Sequence, residues 1–227
     1  VSRVTFAGIK QTTMSGTRHV HHRTDYNKGQ LLEEHAGSDP IALFGEWLKD
    51  AEDADIIEPH AMSLSTMGAY TISSRIVLLR SFDSNGFVFY TNYNSRKAMD
   101  IERDPRAALL FYWGAMERQV RVEGRVEHVS DRESDAYFAT RPLESRIAAW
   151  SSDQSRMVEN REQLEQRYER WKERFAGGEV PRPLHWGGCR VRPVRMEFWQ
   201  GRESRMHDRL VFEHMNDGTW MRMRLQP

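Results

Sequence analysis

The chain has 227 residues, 39% hydrophobic and 11% aromatic, which is material for one substantial core or two small ones. Lys+Arg and Asp+Glu number 33 each, so there is no overall basic field to hold nucleic acid, and any anion must be bound by a local cluster. A single cysteine, Cys189, excludes an internal disulfide framework and a metal site built from several thiolates, and no apolar run reaches the length of a membrane span.

Residues 1–37 carry Gly, Thr and Ser without a sustained apolar period and read as a flexible N-terminal arm. His19, His21 and His22 lie in it, but no carboxylate or cysteine stands at ligand spacing, so a polar arm is preferred to a metal site. Asp39-Pro40 supplies an N-cap and a first-turn proline, and Phe44, Trp47, Leu48 and Ala51 follow at helical spacing. Strands are predicted over 61–66, 71–80 and 86–92, with Asp83-Ser84-Asn85-Gly86 as the turn between the last two. Ser95 is placed to cap a short helix over 96–103 that Pro105 closes. Strands over 107–113 and 117–129 flank Gly114 as a hairpin. A capping box from Ser130 to Glu133 opens a helix that Arg141-Pro142 stops. A longer helix carries Leu164, Tyr168, Trp171 and Phe175 on one face and ends at Gly177-Gly178, and strands over 191–199, 206–214 and 219–225 complete the chain. Strand runs broken by helices without a βαβ rhythm predict an α+β fold on an antiparallel sheet or barrel.

Three cationic patches stand next to turns, where guanidinium, ammonium and backbone N–H donors can meet a phosphate. In the first, Arg75 and Arg80 have opposite parity along an uninterrupted strand and would leave opposite faces, one for each of two anions; taken alone, both also fit solvated strand ends. In the second, Tyr90-Thr91-Asn92 precedes Ser95-Arg96-Lys97, so a strand end meets a helix N-terminus whose dipole and free N–H groups favour an anion, though such a pair also suits solvent. No glycine-rich cradle points to a dinucleotide fold or a P-loop. In the third, Arg205, His207 and Arg209 share one face of an extended strand, a row whose self-repulsion calls for an anion or carboxylate in answer.

The order of short motifs carries more than any one of them: Arg75-Ile76-Val77-Leu78-Leu79, Phe89-Tyr90-Thr91-Asn92, Ser95-Arg96-Lys97-Ala98, Glu117-Arg118-Gln119-Val120, Tyr137-Phe138 with Arg141-Pro142, Gln154-Ser155, Trp186-Gly187-Gly188, Glu197-Phe198-Trp199-Gln200-Gly201 and Arg205-Met206-His207-Asp208-Arg209. From residue 39 to 227 this series closely resembles the pyridoxamine 5′-phosphate oxidase family. The resemblance implies an α+β fold built on an FMN-binding split β-barrel, antiparallel and Greek-key-like with flanking helices, over residues 38–227. It also implies a cytoplasmic homodimer with two FMN sites at the subunit interface, and neither a metal, a nucleic acid nor a membrane as partner. Position by position, it puts the flavin contacts on Arg75, Ile76, Tyr90, Thr91, Arg96, Lys97, Gln119, Gln154, Ser155, Trp199 and Arg209. The substrate phosphate falls to Arg80, Tyr137, Arg141 and Ser145, the last three spaced across a helix end and its following turn. Arg205 and His207 fall against the pyridine ring, as the catalytic pair.

The activity so implied is oxidation of pyridoxamine or pyridoxine 5′-phosphate to pyridoxal 5′-phosphate. A hydride equivalent leaves C4′ for the flavin, O2 is the final acceptor, H2O2 is released, and the amine substrate also yields ammonia. Arg205 is assigned to orient the reacting substituent, with His207 as a binding partner whose pKa permits proton acceptance. Arg80 stands where family members usually carry lysine. In the arm, Arg23-Thr24-Asp25-Tyr26 resembles a segment that folds over substrate, with Thr24 replacing a second basic residue, so Arg23 and Tyr26 are read as lid contacts. Arg80 and the altered arm motivate a rival reading: a weakly active or inactive paralogue that carries or senses FMN or pyridoxal 5′-phosphate. A split-barrel flavin reductase using a nicotinamide donor is a further alternative.

Overall fold

The computed structural model describes residues 25–227, so Arg23 and the three arm histidines lie outside the described residues. From Asp25 to Gly37 the arm contains no helix or strand, yet Leu31 and Ala36 are buried in the main core. Helix α1 spans Pro40–Asp53, where Asp39 accepts a hydrogen bond from the Ile41 amide at 2.8 Å and Pro40 takes the first turn. Its apolar stripe, Leu43, Phe44, Trp47, Leu48 and Ala51, is buried against the sheet. Phe44 sits 5.0 Å from the Phe82 ring and 4.9 Å from those of Phe87 and Phe111, the offset and edge contacts that aromatic rings favour.

Nine strands form one sheet among the described residues: β1 (Ala61–Met67), β2 (Ile72–Leu78), β3 (Ser81–Asp83), β4 (Gly86–Asn92), β5 (Arg106–Trp113), β6 (Arg118–His128), β7 (Trp186–Gln200), β8 (Asp208–His214) and β9 (Trp220–Arg224). Their order is β2-β1-β5-β6-β7-β4-β3, every pairing is antiparallel, and β8 joins β7 and β9 off that path. Strand β7 is the organiser. Along one edge it pairs with β6; along the other its first half, Trp186–Val191, takes β4 and its second half, Arg195–Gln200, takes β8. The change of partner falls at Pro193, which lacks a ladder N–H, opposite a bulge between Glu123 and Gly124. A Cβ at Gly124 would lie 2.1 Å from the Arg192 carbonyl oxygen, so only glycine fits that crossing.

Helix α2 (Arg96–Arg103) follows β4; α3 (Asp131–Thr140), α4 (Leu143–Ser151) and α5 (Arg161–Arg174) follow β6. Ser130 caps α3 by accepting from the Glu133 amide at 3.1 Å. These helices close a second apolar cluster of Phe138, Ile147, Ala149, Val180 and Trp186. No helix among the described residues is long and apolar enough to cross a membrane.

The α+β, antiparallel expectation agrees with this architecture, and several details correct it. The predicted strand over 71–80 stops at Leu78, so Arg75 and Arg80 do not share one continuous strand and the parity argument does not hold for the pair. Residues 143–151 form α4, where a turn was expected. Strand β7 begins five residues earlier than predicted, because Trp186-Gly187-Gly188 reads locally as a breaker but is paired along β4.

Candidate active site

The end of β4 meets the start of α2 as expected. Thr91 donates to Gln154 Oε1 at 3.3 Å, and Lys97 Nζ donates to the same Oε1 at 3.0 Å, to Thr91 Oγ1 at 3.1 Å and to Ser95 Oγ at 3.2 Å. Ser95 therefore does not cap α2 with its side chain, a correction: its hydroxyl is turned to the lysine. Burial pulls the Lys97 pKa below its usual value, and neighbouring Arg75 pulls it further.

Arg75 leaves β2 toward the core side. It donates from Nη1 to the Leu64 carbonyl at 3.1 Å and to Thr66 Oγ1 at 2.8 Å, and from Nη2 to Ser73 Oγ at 2.5 Å. Arg80, past the end of β2, pairs through its amide with the Val88 carbonyl at 2.8 Å. Its side chain lines the same cleft as Ile76, Thr91, Lys97 and Arg141.

That cleft has a volume of about 420 Å³. Its floor is an aromatic stack in which Tyr137 lies 3.9 Å from Tyr90, with Trp186 5.4 Å beyond. Burial pushes the Tyr90 phenol up to about 12, so this ring enters the site uncharged. Arg141 lies 4.5 Å over the Trp186 ring, a cation–π contact, and its Nη1 is buried without a hydrogen-bond partner. An orphaned guanidinium nitrogen is costly unless a ligand oxygen completes it. Burial lowers the Arg141 pKa, and the nearby Arg80 charge adds to that effect. Ser145 lies in the first turn of α4, not in a turn after α3. Trp186 was not singled out as a site residue; its sequence signal was the Trp-Gly-Gly motif, where a Cβ at Gly188 would meet Tyr90 at 2.8 Å. Arg96 is exposed beside this cleft, and Gln154 and Ser155 approach on an exposed loop, with Ser155 in the left-handed region at φ 70°.

A second cluster forms where β7 ends. Gln119 on β6 pairs with Trp199, which pairs with Arg209 on β8. Arg209 donates from Nε to Glu197 Oε1 at 2.8 Å, and Glu197 is 3% exposed. Arg205, His207 and Arg209 do not form a row on one strand: β8 starts at Asp208, and Arg205 ends a short 3-10 turn with Ser204 at φ 54° and Arg205 at φ 61°. Non-glycine residues in that region store strain that the surrounding structure must hold. The His207 ring sits 4.7 Å from that of Trp199 and 5.4 Å from that of Tyr26, and its Nδ1 accepts from the Arg202 amide at 3.1 Å. Burial and the Arg205 charge lower the His207 pKa. Tyr26 rests on Gly201, where a Cβ would come within 2.7 Å of its ring.

Within one chain the two clusters stay apart. Trp186, of the first cluster, opens β7 and Trp199, of the second, stands thirteen residues further along it, roughly 40 Å for an extended strand. Among the described residues no hydrogen bond, ion pair or ring contact joins the cluster around Lys97 and Arg141 to the cluster around Trp199 and His207.

Residues 48–175 match the family described as Pyridoxamine 5′-phosphate oxidase, and residues 186–227 match the Pyridoxine 5′-phosphate oxidase C-terminal dimerisation region. The chain is 54% identical over 206 residues to the pyridoxine/pyridoxamine 5′-phosphate oxidase of Rubrobacter xylanophilus, covering 90% of this chain and 94% of that one. It is 53% identical to the same enzyme of Cupriavidus pinatubonensis, covering 90% and 97%. Among solved structures, PhzG from Burkholderia lata in complex with tetrahydrophenazine-1-carboxylic acid superposes with a TM-score of 0.82 at 30% identity, over 88% of this chain and all of that one. A pyridoxamine 5′-phosphate oxidase-related, FMN binding protein from Nostoc punctiforme shares the split-barrel fold at 16% identity, with a TM-score of 0.65 over 81% of this chain and 96% of that one. With its motifs, its curled antiparallel sheet and half-identical relatives all in agreement, the chain belongs to the pyridoxamine 5′-phosphate oxidase family and is an oxidoreductase.

Proposed function

We propose that this protein oxidises pyridoxamine 5′-phosphate and pyridoxine 5′-phosphate to pyridoxal 5′-phosphate as an FMN-dependent homodimer in the cytoplasm. With the amine the balance is substrate, O2 and H2O to aldehyde, H2O2 and NH3. The observation that carries this reading is the cleft itself: Arg80, Lys97 and Arg141 line it, Arg75 lies close enough to Lys97 to lower its pKa, Arg96 lies close to Arg75, and Asp100 is the one carboxylate in ion-pair reach of these five among the described residues. Such a concentration of charge suits two phosphate dianions, and the orphaned Arg141 Nη1 fits one of them.

In this reading Arg75, Arg96, Lys97, Thr91 and Gln154 hold the FMN phosphate and ribityl end, with Ile76, Tyr90 and Ser155 beside them. Arg80, Tyr137, Arg141 and Ser145 take the phosphate of the substrate. The second subunit brings Gln119, Trp199 and Arg209 to the ring and Arg205 and His207 to the pyridine, which the strand spacing within one chain favours. FMN, when bound, supplies acceptance of a hydride equivalent from C4′, with O2 as the final electron acceptor. The protein's part is positioning: Arg205 orients the reacting substituent, and His207, its Nδ1 already occupied, presents Nε2–H as a donor to the pyridine substituents. Residues 38–227 form the oxidase domain, and Arg23 and Tyr26 of the arm serve as its lid.

Mixing FMN-loaded protein with each phosphorylated vitamer without oxygen tests this. Bleaching of the yellow colour, then pyridoxal 5′-phosphate and H2O2 in equal amounts on admitting air, is expected. Bound flavin that neither vitamer bleaches would overturn the reading in favour of a carrier or sensor. Bleaching by a reduced nicotinamide alone would favour a flavin reductase.

A further inference from the structure

Asp100 is 4% exposed on α2, one turn beyond Arg96 and Lys97, and the reaction gives it no part. Its Oδ2 accepts from Thr66 Oγ1 at 3.0 Å and from Ser73 Oγ at 3.1 Å. Arg75 Nη2 is 3.9 Å from the same oxygen, and Arg103 Nη2 is 3.7 Å from Oδ1. The two hydroxyls that bond Asp100 are the two that receive Arg75, from Nη1 at 2.8 Å and from Nη2 at 2.5 Å.

Proton direction decides what this arrangement does. An ionised carboxylate only accepts, so Thr66 and Ser73 must each give it their single hydroxyl proton, which leaves their lone pairs for the guanidinium. The carboxylate thus sets the polarity of both hydroxyls and, through them, the attitude of the Arg75 fork. Asp100 also pins α2 to β1 and β2, so it fixes the spacing between Arg75 on the sheet and Arg96 and Lys97 at the helix start.

We propose that Asp100 is a positioning residue for the flavin phosphate, acting through Thr66, Ser73 and Arg75 rather than by contact. The inference rests on the reading that the Arg75–Lys97 cluster holds that phosphate. It opposes the simple electrostatic expectation, in which removing a negative charge near a dianion tightens binding. Both hydroxyls donate to the same oxygen, so Asp100→Asn can keep its carbonyl there and hold them, whereas Asp100→Leu removes the acceptor and leaves both free to turn their protons toward Arg75.

The test is titration of flavin fluorescence with apoprotein, using FMN and riboflavin, which differ only by the phosphate. Asp100→Leu is expected to weaken FMN about tenfold or more, the scale of one charge-assisted hydrogen bond, and to leave riboflavin within about twofold, while Asp100→Asn keeps most of the FMN affinity. Thr66→Val keeps the carboxylate, gives the same pattern as Asp100→Leu, and carries the test if Asp100→Leu does not fold. Joined to Arg75→Ala, either substitution should add little further loss. Unchanged or tighter FMN binding in Asp100→Leu or Thr66→Val overturns the proposal, as does equal weakening of both flavins, which a purely structural role would give. A wild-type protein that does not prefer FMN over riboflavin would instead sink the reading on which the proposal rests, and the proposal with it.

Discussion

Nδ1 of His207 accepts a hydrogen bond from the backbone N–H of Arg202 at 3.1 Å, which fixes the neutral ring as the Nε2–H tautomer. Protonation would set two donors face to face. Burial and Arg205 also hold its pKa below the usual 6.5, against the opposing pull of Asp208. The unfolded chain therefore takes up the proton first, and stability rises with pH between the lowered folded value and about 6.5. For activity, kcat/KM is expected to show an acid limb with its midpoint below pH 6.5, absent in His207→Asn. A limb centred above that value, or one that survives the substitution, would show that His207 does not govern it.

Arg141→Ala should raise KM for pyridoxamine 5′-phosphate by roughly 30- to 150-fold, the loss of about 2–3 kcal/mol for charged hydrogen bonds to a phosphate. Oxidation of unphosphorylated pyridoxamine, slow in both proteins, should be unchanged. Steady-state kinetics with both amines separate this from a general collapse of the cleft, which would slow both alike.

Gly188→Ala would place a Cβ 2.5 Å from Val129 Cγ2 and 2.8 Å from the Tyr90 ring. Overpacking at such a site costs about 1–3 kcal/mol and would tilt Tyr90 out of its stack on Tyr137. A lower urea midpoint together with a raised KM for the phosphorylated substrate is expected. A wild-type KM would mean that the stack does not shape the cleft.

The Cys189 side chain is buried and burial pushes its pKa up to about 12, so it is expected to stay unmodified by a disulfide reagent at neutral pH until the protein unfolds. Thiol titration before and after addition of denaturant measures this directly.

The fold was legible where local signals were strong. Asp39-Pro40 and the Phe44–Ala51 stripe announced α1, and Gly86 and Asn92 bounded β4 as predicted. Tertiary pairing made the rest illegible: nothing local in 186–190 says strand, because the glycines are there to let Tyr90 and Tyr93 approach. Helix α4 was missed because Pro142 reads as a stop, while here it is the residue from which a new helix starts. At the site, motif order brought out the residues of both clusters, whereas strand parity failed for Arg75 and Arg80 because β2 ends at Leu78. Asp100 carried no sequence signal, since a helical aspartate is ordinarily solvated and only its neighbours on β1 and β2 give it work.

Strand β7 runs from Trp186, under Arg141, to Trp199, beside His207, in one extended piece of 15 residues. At about 3.3 Å per residue it acts as a ruler roughly 50 Å long, with the two chemistries marked near its ends. Lengthening it by a single residue would shift one mark and turn every side chain beyond the insertion to the opposite face. The hairpin loop at Asn216-Asp217-Gly218, by contrast, sits past the last graduation and is free to vary in length.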